Sequence, residues 1–308
     1  MTDLRRAAEE YLAVRRTVGF KLVQVGRLLP DFVSFLEDHN AERVTIELAL
    51  AWAQQPPGKN PGLGGRRLEV VRGFARHLQA SDPSTEVPPV GLLPRDRPRL
   101  TPFLYSSSDV AALMGAARRL HPSLRAATYE TLIGLLAVTG LRVGEALRLE
   151  RSDVDWTDGL LVIRDSKFHK SRQVPLQSTT LMALAAHDER RDQLCRVPTT
   201  TSFFVSTTGN RLAYASFHQV FARLLSAAGI ASSSTRRRPR PHDLRHSFAV
   251  RTLLCWYRDG VDVPASLPLL STYLGHLDPA ATYWYLTAAP ELLALAAQRL
   301  EQSGAPPS

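Results

Sequence analysis

Between Ser81 and Pro102 the chain carries Pro83, Pro88, Pro89, Pro94, Pro98 and Pro102, and the end of that stretch adds Arg95, Asp96, Arg97 and Arg99. Proline lacks a backbone N–H and has a fixed φ, so such a run continues neither a helix nor a central strand. It reads as an extended linker that forms no core of its own. The 308 residues, more than one compact core usually holds, therefore divide into a domain over 1–80, a linker over 81–102 and a second domain over 103–308.

Before the linker the apolar spacing is helical. Leu4, Ala8, Tyr11 and Leu12 mark one face; Val25, Leu28, Leu29, Phe32, Phe35 and Leu36 mark a longer one through which Pro30 threatens a kink. Thr45 is placed to cap a third helix holding Leu48 and Trp52. A fourth is expected after a Gly64-Gly65 turn, burying Leu68, Val71, Phe74 and Leu78. After the linker, Ser106 to Asp109 supplies a helix start, and Leu124 to Val138 is apolar on most faces and stops at Thr139-Gly140. Leu160 to Arg164 and Arg172 to Leu176 alternate around a polar turn, as in a β-hairpin, and Phe203 to Ser206 reads as one more strand. Everything beyond Ala213 reads as helices interrupted by the basic loop Thr235 to Arg240. The fold class is mainly α with a small β-hairpin or sheet.

The net charge is +9 and the pI about 10.0, which favours a polyanionic partner, nucleic acid first. Only Lys21, Lys59, Lys167 and Lys170 are lysines, so the excess reflects arginine usage throughout and proves little alone. Candidate DNA contacts are Arg66, Arg67, Lys170, Arg172, Arg236, Arg237, Arg238 and Arg240. Cys195 and Cys255 make no disulfide framework and lack metal-ligand spacing, and no membrane-length apolar run or secretory signal is visible; a cytoplasmic, nucleoid-associated protein fits.

The chemistry concentrates between Pro241 and Tyr285. Pro241 opens a helix on which His242 and Arg245, three residues apart, share a face and reach one phosphate. His242, Asp243 and His246 mimic a zinc-binding His-Glu-x-x-His helix, but Asp is a methylene short, the motif sits at a helix start and Arg245 would bring a cation to the metal. His246 reads as a packed structural residue. Upstream, Arg142 in Thr-Gly-Leu-Arg-Val-Gly-Glu should project from the corner between two helices, with Glu145 one turn on to hold it, though an arginine there is also an ordinary helix-terminal cation. Convergent guanidiniums match the charged oxygens of a phosphodiester under attack. Lys167 and Lys170 occupy the hairpin turn, and a lysine can donate a proton where arginine cannot. Asp278-Pro279 starts a short helix over Ala280 to Leu286 on which Tyr283 and Tyr285 face nearly opposite ways, so one enters the site and the other, with Trp284, joins the core.

These residues resemble the tyrosine recombinase and phage integrase family over essentially the whole chain, with a Tyr-Trp-Tyr-Leu string most like transposon-borne integrases. The resemblance implies a site of Arg142, Lys167, His242, Arg245, His276 and Tyr285, the last nine residues after Leu-Gly-His, which demotes Tyr283. It implies that a SAM-like helical core-binding domain and a mostly helical catalytic domain form a clamp on duplex DNA. It also implies that Tyr285 forms a 3′-phosphotyrosyl link, Arg142 and Arg245 hold the phosphate oxygens, Lys167 protonates the leaving 5′ oxygen, His242 assists proton transfer and His276 bonds the phosphate. The resemblance further implies a reaction that requires neither metal nor ATP. The implied partners are double-stranded DNA with specific recombination sites, a homo- or hetero-tetramer on that DNA, and companion recombinases, without a membrane. The amphipathic pattern of the tail, Pro290 to Gln302, fits packing on its own domain equally with the docking on a neighbouring subunit that the resemblance implies. A type IB topoisomerase and a non-catalytic DNA-binding regulator are the alternatives.

Overall fold

The computed structural model describes residues 3–20, 22–55, 61–94, 101–164, 171–195, 197, 199–230, 238–276, 278–287, 291–292 and 295. The chain splits into two compact units, Met1–Leu100 and Thr101–Ser308. Among the described residues no helix is long and apolar enough to cross a membrane.

The first unit packs α1 (Asp3–Thr17), α2 (Val25–Asp38), α3 (Ile46–Ala53) and α4 (Pro61–Gln79) around Leu29, Phe32, Leu36, Trp52, Leu68, Val71 and Phe74. Pro30 lies inside α2, and the Thr45 hydroxyl accepts from Leu48 N–H at 3.2 Å, the expected cap. Gly64 and Gly65 differ from expectation: they lie within α4, not before it. A Cβ on Gly64 would come within 3.1 Å of the Ala53 carbonyl and 3.3 Å of Leu93, so the glycine serves a close approach rather than a turn.

The proline-rich stretch also differs from a core-free linker in its first half. Arg72 donates to the Pro88 and Pro89 carbonyls at 2.7 and 2.8 Å, Glu86 N–H bonds the Val44 carbonyl, and its carboxylate accepts from Ile46 N–H at 2.7 Å. Thr85 is buried, and Val87 and Leu93 join the unit's core. Prolines stop regular structure here, but their carbonyls remain good acceptors for a neighbouring arginine. Arg95, Arg97 and Arg99 lie outside the described residues.

The second unit begins with α5 (Ser107–Arg118), capped by reciprocal bonds between Ser106 and Asp109, and the largely buried α6 (Ser123–Thr139). Gly140 ends α6 at φ 61°, a left-handed position where a Cβ would strike Phe248 at 2.5 Å. After α7 (Val143–Arg148) comes an antiparallel sheet of β1 (Val154–Asp155), β2 (Leu160–Ile163) and β3 (Arg172–Pro175), in that order, with Ile163 opposite Arg172. The β2–β3 hairpin matches expectation and β1 was not foreseen. Its turn, with Lys167 and Lys170, lies outside the described residues. Next is α8 (Ser178–Leu194). Residues 203–206 form no strand: Val205 makes a single bridge to Arg211, while Phe203 and Phe204 are buried core side chains, which explains their apolar run. Then follow α9 (Tyr214–Ala227), α10 (His242–Arg258), α11 (Val263–Leu274) and α12 (Ala280–Tyr283), which runs into a 3₁₀ turn, Trp284–Thr287. Arg236 and Arg237, and all of the expected tail helix except residues 291, 292 and 295, lie outside the described residues.

Candidate active site

The carboxyl end of α11 organises the site. A helix leaves its last carbonyls without intrahelical donors. Here Gly275, left-handed at φ 68°, turns the chain so that Gly275 N–H bonds the Thr272 carbonyl and His276 N–H the Ser271 carbonyl. The next three carbonyls each take an arginine. Arg172 Nε donates to Tyr273 at 2.8 Å, Arg245 Nη2 to Leu274 at 2.7 Å, and Arg142 Nη2 to Gly275 at 2.8 Å. Side chains from three distant segments thus meet at one helix end, whose dipole favours cations. Gly275 is required twice over, since a Cβ there would also lie 2.9 Å from Arg172 Nη1.

Glu145 binds two of these arginines together. Its buried carboxylate accepts from Arg142 Nη1 at 2.7 Å and Arg142 N–H at 3.0 Å, and from Arg172 Nη1 and Nη2 at 3.1 and 2.8 Å. Burial alone would raise its pKa, but the hydrogen bonds and charge of Arg172, then those of Arg142, outweigh it and hold the carboxyl at about 2. Arg142 does project from the α6–α7 corner, with Glu145 holding it. Arg245 is 2% exposed and donates its second bond to the Gly140 carbonyl at 2.8 Å. Burial first, and the Arg142 charge second, lower it to about 10, still a cation at neutrality. Both glycine motifs, Thr-Gly-Leu-Arg and Leu-Gly-His, are therefore helix ends whose carbonyls position arginines.

Tyr285 is 2% exposed and Tyr283 49%, so the two do face apart. Tyr283 nevertheless stands in solvent rather than joining the core, because α12 ends at it and presents it outward. The Tyr285 hydroxyl is 3.2 Å from His246 Nδ1, and its ring stacks on His276 at 6.1 Å and 23°. His276 Nδ1 pairs with the Thr282 hydroxyl at 2.7 Å. His242, exposed at the start of α10, meets the His246 ring edge to face at 4.7 Å. Asp243 turns the other way: fully buried, it accepts from Arg240 N–H at 2.8 Å, and burial raises its pKa.

Five of the six expected site residues, Arg142, His242, Arg245, His276 and Tyr285, are thus brought to one place, while Lys167 lies outside the described residues. Two of the expected DNA contacts are differently employed. Arg172 is inside the site, its side chain 11% exposed against Glu145. Alternation had the signal, because Arg172 shares a strand face with buried Val174. Arg67 is a packing residue, stacked 4.5 Å over Trp52 and bonded to Asp31 at 3.1 Å. Arg66, Arg238 and Arg240 are exposed. His246, expected only to pack, bonds the phenol of Tyr285, a contact made across 39 residues that no local spacing announces.

Residues 104–291 match the model of the phage integrase family. A Sinorhizobium fredii protein named "Putative integrase/recombinase y4rB" is 44% identical over 308 residues, covering 98% of each chain, and the tyrosine recombinase XerD of Oceanobacillus iheyensis is 27% identical over 267 residues, covering 84% of each. Among solved structures, the Tn1549 transposon integrase in complex with transposon right end DNA superposes with a TM-score of 0.70 at 14% identity, covering 97% of this chain and 99% of that one. XerH bound to a palindromic difH substrate gives 0.66 at 18% identity, covering 89% and 77%. By that match over more than half of its length and by these relatives, this chain belongs to the phage integrase family of tyrosine recombinases, enzymes that cleave and rejoin DNA.

Proposed function

We propose that this chain recombines specific sites in double-stranded DNA as part of mobile-element integration or transposition, with Tyr285 as the nucleophile. The observation that carries the site assignment is the meeting of Arg142, Arg172 and Arg245 at the end of α11 beside Tyr285. A backbone phosphate enters at Arg142, whose side chain is 30% exposed, and its two non-bridging oxygens take donors from Arg142 and Arg245. Attack by Tyr285 forms the 3′-phosphotyrosyl bond and breaks the bond to the 5′ oxygen, which Lys167 protonates. His276 bonds the phosphate and His242 assists proton transfer. A 5′ hydroxyl from another strand reverses the step, so the linkage itself conserves the bond and neither metal nor ATP is needed.

The net charge of +9 and the exposed Arg66, Arg238 and Arg240 support a DNA partner held largely through phosphates. The likeness to the Tn1549 transposon integrase and to a lambda integrase tetramer bound to a Holliday junction, with a TM-score of 0.62, supports a tetramer on paired sites and a transposon setting. Tyr285→Phe removes one oxygen and keeps the packed ring. DNA binding should persist while the covalent protein-DNA adduct disappears; an adduct that survives in Tyr285→Phe and vanishes in Tyr283→Phe would refute the assignment. Joined recombinant DNA as product, rather than relaxed plasmid, separates recombination from topoisomerase action.

A further inference from the structure

His276 is gripped by the segment that carries Tyr285. Its Nδ1 lies 2.7 Å from the Thr282 hydroxyl, and its face lies against the Tyr285 ring at 6.1 Å and 23°. Thr282 and Tyr285, three residues apart on the run from α12 into the 3₁₀ turn, are both buried, whereas Tyr283 between them faces solvent. The two contacts act differently. Stacking on Tyr285 sets the plane of the imidazole but is indifferent to a half-turn about its Cβ–Cγ bond, which exchanges Nδ1 with Cδ2 and Nε2 with Cε1. A hydrogen-bonding partner tells the two flips apart, and Thr282 supplies one.

The direction of that bond follows from the place of Thr282 in its helix. Thr139, Thr252 and Thr272, farther into α6, α10 and α11, each donate to the carbonyl four residues back, at 2.6, 3.0 and 3.0 Å. Thr282 stands in the first turn of α12, and the residue four before it, Asp278, precedes the helix and gives its carbonyl to Ala281 N–H. The Thr282 proton is thus directed to Nδ1, and a neutral imidazole that accepts at Nδ1 carries its own proton on Nε2.

We propose that Thr282 is a positioning residue for strand cleavage: its hydroxyl holds His276 in the one flip and the one tautomer that present an Nε2–H donor to the scissile phosphate. The inference rests on His276 bonding that phosphate and on Tyr285 being the nucleophile. In the other flip a carbon takes the place of Nε2, and in the other tautomer a lone pair meets the phosphate oxygen; either way the donor is lost without any change in the stacking. Because Thr282 and Tyr285 share a segment, the same docking of α12 that brings the phenol to the site sets the imidazole beside it.

The test is covalent adduct formation by the full chain on a nicked duplex carrying its recombination site. Thr282→Val puts a methyl where the hydroxyl was. We expect DNA affinity to stay and the adduct rate to fall ~10- to 10²-fold, the range of a misplaced catalytic group. Thr282→Ser, which restores the hydroxyl, should recover most of that loss. The deciding comparison repeats Thr282→Val in a His276→Ala background, where it should cost no more than about 2-fold, because a residue that acts through His276 has nothing left to position. A near-normal rate in Thr282→Val, or the same loss with His276 already gone, overturns the proposal; the latter would make Thr282 a packing residue of α12. If Thr282→Val does not fold, the imidazole nitrogen resonances of the unaltered protein decide at about pH 8.5, well above the ordinary histidine pKa near 6.5. His276, assigned by its loss in His276→Ala, should carry its proton on Nε2, and a proton on Nδ1 overturns the proposal. A normal adduct rate in His276→Ala would instead overturn the reading of His276 on which the proposal rests, and adduct persisting in Tyr285→Phe the nucleophile assignment.

Discussion

Arg67 in the first unit and Arg245 in the second are the same side chain put to opposite uses. Arg67 lies flat on Trp52 and pairs with Asp31, a carboxylate that is itself 55% exposed, so its charge is answered at the surface. Arg245 is buried, has no hydrogen-bonded carboxylate among the described residues, and is held by the backbone carbonyls of Gly140 and Leu274. A carboxylate cancels a guanidinium; a carbonyl orients it and leaves the charge in place. Counting basic residues therefore says little about which of them meet phosphate, whereas the acceptor each one has found says a good deal.

The largest effect should come from Arg245→Ala. Two buried carbonyls lose their donors, at about 1–3 kcal/mol each, and the charge aimed at the phosphate goes with them, worth ~10²- to 10³-fold in rate. Arg245→Lys should recover little, since one ammonium replaces a fork that spans two carbonyls. Melting temperature and adduct rate measured together check this, and a stable, active Arg245→Lys would erase the contrast with Arg67.

Glu145→Gln comes next, since it leaves Arg142 and Arg172 facing a neutral amide, at roughly 3–5 kcal/mol for breaking a buried pair. It should also change the acid limb of stability. The folded carboxyl is held at about 2, below the 4.5 of the unfolded chain, so its stabilisation is complete above pH 4.5 and is lost as pH falls towards 2. Acid titrations of the two proteins should diverge least at the bottom of that window.

Gly275→Ala strains a left-handed residue by about 1–2 kcal/mol and pushes Arg172 aside; adduct formation should fall while DNA affinity holds. The smallest effects form a pair. Arg67→Ala should cost the first unit about 1 kcal/mol and leave the salt dependence of DNA binding unchanged. Arg238→Ala should leave the melting temperature alone and reduce the slope of log affinity against log salt by about 1. The reverse result for either would mean that the two uses of arginine cannot be told apart by their acceptors.

Much of the fold was legible because its signals are local. Apolar spacing marked α2, α3 and α6, Thr45 and Ser106 announced caps, and alternation announced β2 and β3. The misses share a cause. Gly64-Gly65 resembles a turn until α3 is seen pressing on it, α8 carries charges on several faces and announces no stripe, and the apolar run at Phe203-Phe204 reads like a strand but is only core. Of the residues that the structure brings together, Arg142, His242, Arg245, His276 and Tyr285 were picked out by motif. The work of Arg172 and His246 was not, because a main-chain carbonyl or a phenol on a remote segment leaves no trace in the residues around its partner.

The end of α11 has one further consequence. Among the described residues the three guanidiniums gathered there are answered by one carboxylate, that of Glu145, which leaves an excess of two positive charges at this helix end, with Arg245 buried and Arg172 nearly so. Like charges confined this way repel, and the α11 carbonyls together with Glu145 hold them in place. On the proposed reading, charge balance at this helix end is completed by the partner: a backbone phosphate arriving at Arg142 would act on the protein as a structural counterion before it is a substrate.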